Sequence, residues 1–194
     1  ITGGEGADTI AAGAGNDTIN LASGDFVAGE SIDGGANSDT IVLTSGMTVD
    51  FSTGTVTNVE TLTGSSSSDT VTLSALQLAG LGSVNLVSGT DTLNVVASGN
   101  ISSLGLATMS NIDTGNLTGT SGTDSITLTG AQLDAILIGS GVINLGSGTG
   151  DAINLTSTSS DLNSLGANSN TSIQGVEAIS AAAAAASVTI TLSG

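Results

Sequence analysis

The chain has 194 residues, a mean hydropathy of +0.38 and 38% apolar residues, but only two Phe and no Trp or Tyr, so a core has to be built from Val, Ile, Leu and Ala. Acidic residues number 17 against no Lys, Arg or His, a formal net charge of −17. That excludes side-chain salt bridges and removes the basic groups that would hold nucleic acid or insert at an anionic membrane. Cysteine is absent, which excludes disulfides and soft-metal sites, and the apolar content argues against disorder despite 29 glycines.

Repeats begin at once. Gly3-Gly4-Glu5-Gly6-Ala7-Asp8-Thr9-Ile10 is followed in register by Ala12-Gly13-Ala14-Gly15-Asn16-Asp17-Thr18-Ile19. A third version, Gly34-Gly35-Ala36-Asn37-Ser38-Asp39-Thr40-Ile41, has Asn where the third glycine is due, and Asn tolerates left-handed backbone angles. Glu30 and Asp33 lie close before Asp39 and enrich that neighbourhood in oxygen ligands.

From residue 42 the period loosens, but an element of Asp, a small residue and an aliphatic residue returns as Asp69-Thr70-Val71, Asp91-Thr92-Leu93, Asp124-Ser125-Ile126 and Asp151-Ala152-Ile153. A Gly/Ser/Thr-rich loop precedes each. Alternation in Thr70-Val71-Thr72-Leu73 and Ser125-Ile126-Thr127-Leu128 is the two-residue period of a strand. No proline interrupts these runs. The segments Ser74 to Leu81 and Gln132 to Ile138 could instead form one helical turn at a corner. A longer repeat, Asn58-Val59-Glu60, Asn111-Ile112-Asp113 and Gly175-Val176-Glu177, marks units of roughly 50 to 65 residues; its acids read as solvated corners more readily than as ligands. The alanine-rich segment Ser180 to Ser187 has high helix propensity but aligns with a loop, so a small-residue solenoid turn is the preferred reading; Ala186 stands where an Asp would, so no ion is expected there.

Short strands stacked coil on coil in this way predict an all-β, parallel β-solenoid, right-handed as coiled parallel connections are. It is a single segment over 1–194, with a nonapeptide region at 1–41 and degenerate long repeats at 42–194. Two carboxylates about 5 Å apart on neighbouring turns repel by roughly 3 kcal/mol at an effective dielectric near 20. A bridging divalent cation reverses that sign. Oxygen-only donors on flexible loops favour calcium over magnesium, and weak sites of Kd on the order of 10⁻⁴ to 10⁻³ M fill outside the cell.

Residues 3 to 19 closely resemble the RTX (repeats-in-toxin) calcium-binding nonapeptide family, Gly-Gly-x-Gly-x-Asp-x-aliphatic-x. The resemblance implies several Ca²⁺ ions, with carbonyl ligands from Gly4, Gly6, Gly13 and Gly15 and carboxylates from Asp8 and Asp17, one Asp from each turn reaching a shared ion. Carried further it adds Glu30, Asp33, Asp39, Asp69, Asp91, Asp124 and Asp151. From residue 42 the chain is similar to the degenerate repeats of S-layer proteins and RTX adhesins. That implies a secreted module of the bacterial cell surface that assembles with copies of itself, the spacer of a large adhesin being the alternative and an ice-binding solenoid a third. Cell-surface polysaccharide would be met through other parts of a parent chain, which is expected to continue at both ends because Ile1 and the strand Val188 to Leu192 look uncapped. No signal peptide and no run of about 18 apolar residues is visible, so no membrane insertion is expected. No enzymatic role is expected either: a carboxylate pair of the glycosidase kind is the one catalytic device left, and the aromatics that stack sugar are missing.

Overall fold

A computed structural model describes residues 1–101, 107–158 and 173–181. The chain winds as a parallel β-solenoid of about 7 turns. Strands β1 (Thr9–Ala11) and β2 (Thr18–Leu21) form the first coil, and β3 (Ser31–Asp33), β4 (Thr40–Leu43) and β5 (Thr48–Asp50) the second. The third coil holds β6 (Thr55–Thr57), β7 (Thr61–Thr63) and β8 (Thr70–Ser74); the fourth β9 (Ser83–Asn85), β10 (Thr92–Val96) and β11 (Asn100–Ile101). The fifth has β12 (Thr108–Ser110), β13 (Thr114–Thr120) and β14 (Ser125–Leu128), followed by β15 (Val142–Gly146) and β16 (Ala152–Leu155), then β17 (Ile173–Gln174) and β18 (Ala178–Ser180).

Among the described residues the strands stack into four ladders, β1-β3-β6, β2-β4-β7-β9-β12, β5-β8-β10-β13-β15-β17 and β11-β14-β16-β18. Each inward aliphatic position lies on its equivalent in the next coil. Ile19, Ile41, Leu62 and Val84 form one buried column, and Leu73, Val95, Leu117 and Ile143 another. Burying each such side chain stabilises by about 1.5–3 kcal/mol. Both Phe residues are also interior: Phe26 and Phe51 meet edge to face with ring centroids 4.7 Å apart, filling a wide corner that aliphatic side chains leave.

Two short helices stand where an all-strand coil would place strands. Helix α1 (Ala75–Gly80) follows β8 and packs on β6, ending the first ladder; α2 (Gly130–Ile136) follows β14 and packs on β12, ending the second. Both corners therefore take the helical alternative, and the reason is local. Ser74 with Gln77, and Thr129 with Gln132, form complete capping boxes, in which side chain and backbone satisfy each other reciprocally. Helices this short are unstable alone. The Gln77 side-chain amide donates to the Phe51 carbonyl (2.8 Å), tying α1 to the coil below. For α2, the aliphatic column stops at Gly115, because a Cβ there would strike the backbone of Ile136 (2.6 Å). Ala186 and the strand expected over Val188 to Leu192 lie outside the described residues.

Candidate metal-binding turns

Each ladder carries an acid immediately before some of its strands, and these acids stack. The Asp17 amide donates to Asp39 Oδ1 (2.7 Å), and the Asp39 amide donates to Glu60 Oε2 (2.7 Å). On the next face Met47 donates to Asp69 Oδ1 (3.0 Å), Asp69 to Asp91 Oδ1 (2.8 Å) and Asp91 to Asp113 Oδ2 (2.8 Å). On the last ladder Gly99 donates to Asp124 Oδ1 (2.5 Å), Asp124 to Asp151 Oδ1 (2.7 Å) and Asp151 to Glu177 Oε2 (2.7 Å). The first face has a single step, Asp8 to Glu30 Oε2 (3.0 Å). The carboxylates of Glu30, Asp39, Glu60, Asp69, Asp91, Asp113, Asp124, Asp151 and Glu177 thus each reach back one coil. The carbonyl of the acid below accepts in return from the residue that follows the acid above, as Thr40 does to Asp17 and Thr92 to Asp69.

Energetically the ladders are divided. A charge-assisted amide bond contributes about 1.5–3 kcal/mol. Stacked carboxylates one strand spacing apart, about 4.8 Å, repel by roughly 3 kcal/mol at an effective dielectric of 20. One bond per rung therefore does no more than offset the repulsion, and the second oxygen decides the balance. In Asp8, Asp17, Asp39, Asp91 and Asp151 it is Oδ2, and in Glu30 Oε1, that is buried without a hydrogen-bond partner in the protein. Asp39, Asp91, Asp151 and Glu30 are themselves at most 1% exposed.

Asp69 and Asp124 differ. Asp69 Oδ2 accepts from the Ser65 amide (2.7 Å) and hydroxyl (3.0 Å), and Asp124 Oδ2 from the Thr120 amide (2.6 Å) and hydroxyl (2.9 Å). The consequence is visible in acidity. Burial pushes the Asp91 carboxyl above its ordinary value, against the pull of the Asp69 amide and with the help of the Asp69 and Asp113 charges. Burial acts in the same direction on Asp124, but its bonds from Thr120 and Gly99 outweigh it and hold the carboxyl below the ordinary range.

The turns before the orphaned acids of the first coils are built for close backbone stacking. Gly4 and Gly6, Gly13 and Gly15, and Gly35 and Asn37 have positive φ. A side chain on Gly35 would run into the Gly13 backbone of the turn below, and a Cβ on Gly3 or Gly34 would lie 2.8 Å from Asp8 or Asp39 Oδ2. These glycines leave space beside an unpartnered carboxylate oxygen, among donors that are all oxygen. That is a fit for a hard cation. Among the described residues no three acidic side chains converge, so an ion in these turns would take most of its oxygens from the main chain.

Residues 1–25 match the family model described as RTX calcium-binding nonapeptide repeat (4 copies). Over these residues the chain is similar to RTX repeats. Comparison with curated proteins and with solved structures gave no match. RTX repeats bind Ca²⁺ and occur in secreted bacterial proteins, and no helix among the described residues is long and apolar enough to cross a membrane.

The structure rearranges the expected ligand set. Asp8 and Asp17, adjacent in the RTX repeat, stand on different faces of one coil, Asp8 before β1 and Asp17 before β2. Their stacked partners are Glu30 and Asp39, each 22 residues on. Asp33 is exposed and braces its turn by accepting from Gly35 (3.1 Å) and the Asn58 side chain (2.8 Å). The Gly13 carbonyl accepts from Ala36 (2.8 Å). Glu60, Asp113 and Glu177, read from sequence as solvated corners, are the last rungs of three ladders. Their signal was the triplet itself: a positive-φ residue (Asn58, Asn111, Gly175), an aliphatic residue, then the acid that precedes the next strand.

Proposed function

We propose that this chain is a calcium-dependent structural module of a secreted bacterial cell-surface protein, a unit of an S-layer or similar self-assembling surface lattice. The observation that carries the reading is the row of buried carboxylate oxygens with no partner in a chain that has no basic side chain to offer them. Bound Ca²⁺ neutralises stacked acids between coils; Asp8, Asp17 and Asp39, in glycine turns, would hold it. Asp69 and Asp124 stand outside this set because each of their oxygens is already engaged. The role is mechanical: cation binding locks one coil to the next, and the flat parallel faces are presented to copies of the same chain.

Far-UV circular dichroism and thermal melting in millimolar calcium, in magnesium and in chelator test the calcium reading, which requires a large loss of stability in chelator that magnesium does not restore. Sedimentation and electron microscopy of the calcium form test the lattice. Sheets or higher oligomers that dissolve on chelation support it, whereas stiff monomers at all calcium concentrations assign the chain to an adhesin spacer.

A further inference from the structure

Position −4 from the ladder acid distinguishes two kinds of turn among those before Asp8, Asp17, Asp39, Asp69, Asp91 and Asp124; the Asp151 turn, with Ser147 at −4 and no partner on Oδ2, belongs to neither. Before Asp8, Asp17 and Asp39 it is Gly4, Gly13 or Gly35, with φ of 102°, 104° and 96°, and the residue at −2, Gly6, Gly15 or Asn37, is likewise left-handed. Before Asp69 and Asp124 it is Ser65 or Thr120, neither with a positive φ, and its amide and hydroxyl both donate to the acid's outer oxygen. The Asp91 turn, Leu86-Val87-Ser88-Gly89-Thr90-Asp91, keeps the third glycine and the Asp of the repeat but has no glycine pair. Its backbone nevertheless follows the first kind: Val87 at −4 has φ 71° and Gly89 at −2 has φ 150°. A β-branched residue in that region is strained, by about 1–3 kcal/mol. The Asn85 side chain holds it there by accepting the Val87 amide (3.0 Å). Asp91 is 1% exposed, and its Oδ2 has no partner.

We propose that the Asp91 turn is a calcium site without the glycine pair, while at Asp69 and Asp124 the −4 residues Ser65 and Thr120 fill with their own donors the place that a cation takes elsewhere. A left-handed −4 residue turns its donor away from the acid and leaves Oδ2 to a metal. Ser65 and Thr120 each supply an N–H and an O–H to the same oxygen and make their turns self-sufficient. Two turns stacked 22 residues apart on one face, at Asp69 and Asp91, thus carry the same acid with opposite requirements.

This inference rests on the calcium reading above, and the test separates the two. The number of calcium ions bound per chain is counted by equilibrium dialysis with radioactive calcium for the whole chain and its variants. Asp91→Asn is expected to lose one ion and Asp69→Asn none. Ser65→Gly, which frees the −4 position to become left-handed, is expected to gain one ion and to make melting more sensitive to chelator. Loss of ions in Asp8→Asn and Asp17→Asn with no change in Asp91→Asn, or equal losses in Asp69→Asn and Asp91→Asn, overturns the inference and leaves the calcium reading standing. No ion lost in Asp8→Asn and Asp17→Asn overturns the calcium reading itself. If Asp91→Asn does not fold, Ser65→Gly decides: an unchanged ion number in a folded Ser65→Gly chain overturns the inference.

Discussion

The ladder of the first coils, Asp17 to Asp39 to Glu60, and the ladder beside it, Met47 to Asp69 to Asp91 to Asp113, are made by the same bond, a backbone amide donating to the carboxylate one coil on. They differ in how the outer oxygen is treated. In the first, Asp17 and Asp39 leave it orphaned in a glycine turn; in the second, Ser65 closes Asp69 while Asp91 stays open. A solenoid of stacked acids can thus be neutralised from outside, by cations, or from within, by two more donors per rung. The two solutions have the same shape and different dependence on the medium.

The largest expected effect that sharpens this contrast is chelation. A site held at 100 times its Kd contributes about 2.7 kcal/mol, or about 5–10 °C in melting midpoint for a chain of this size. Several sites should therefore lower the midpoint by more than 10 °C in chelator, and a midpoint that does not move breaks the comparison.

Next is Asp39→Ala. It removes the acceptor of the Asp17 amide and an orphaned oxygen together, and should cost about 2–3 kcal/mol in calcium by denaturant melting, with less of that loss seen in chelator.

The paired variants Asp91→Asn and Asp124→Asn then test the sign. In chelator at neutral pH, Asp91→Asn should raise the midpoint, because it deletes a charge that burial and its neighbours disfavour while an amide oxygen still accepts from Asp69. Asp124→Asn should lower the midpoint with or without calcium, since an amide group presents one acceptor where Gly99 and Thr120 supply donors to both oxygens.

The same directions fix the response to pH in chelator. Asp124, depressed below its ordinary 3.8 and facing Asp151 from the next coil, contributes stability that is complete above that value and lost as pH falls through its folded pKa. Asp91 is raised, facing Asp69 and Asp113, and its contribution is complete below 3.8 and lost as pH rises through its folded pKa. The acid limb of melting should accordingly become shallower in Asp124→Asn and the loss of stability above it shallower in Asp91→Asn.

The smallest expected effect is Thr129→Ala, which removes the cap of α2 and should cost about 1 kcal/mol, independent of calcium. A calcium-dependent loss there would tie the helical corner to the metal turns and blur the distinction.

The helices show how legibility depends on scale. Ser74 to Gln77 and Thr129 to Gln132 carry the capping-box signature in four letters each. The aliphatic residues around them fit a strand as well as a helix, so the choice fell to the coil, where Gly115 clears room for α2 and the Phe51 carbonyl receives Gln77. Val87 illustrates the opposite case. Nothing in Leu-Val-Ser-Gly-Thr-Asp announces a left-handed valine, because the conformation is imposed by Asn85 and by the turn it stacks on.

Composition and repeat alone determined that this is a parallel solenoid with aliphatic columns and acids at its turns, and that no side chain supplies positive charge, since those properties are local: a two-residue alternation, a nine-residue turn motif, an inventory without Lys, Arg or His. Which acids meet was decided only by the winding. Stacked acids stand 21 to 27 residues apart, a distance set by how many strands and corners complete a coil. A nine-residue repeat cannot encode it, because hydrogen bonding between strands matches equivalent positions in space and is indifferent to how much chain lies between them.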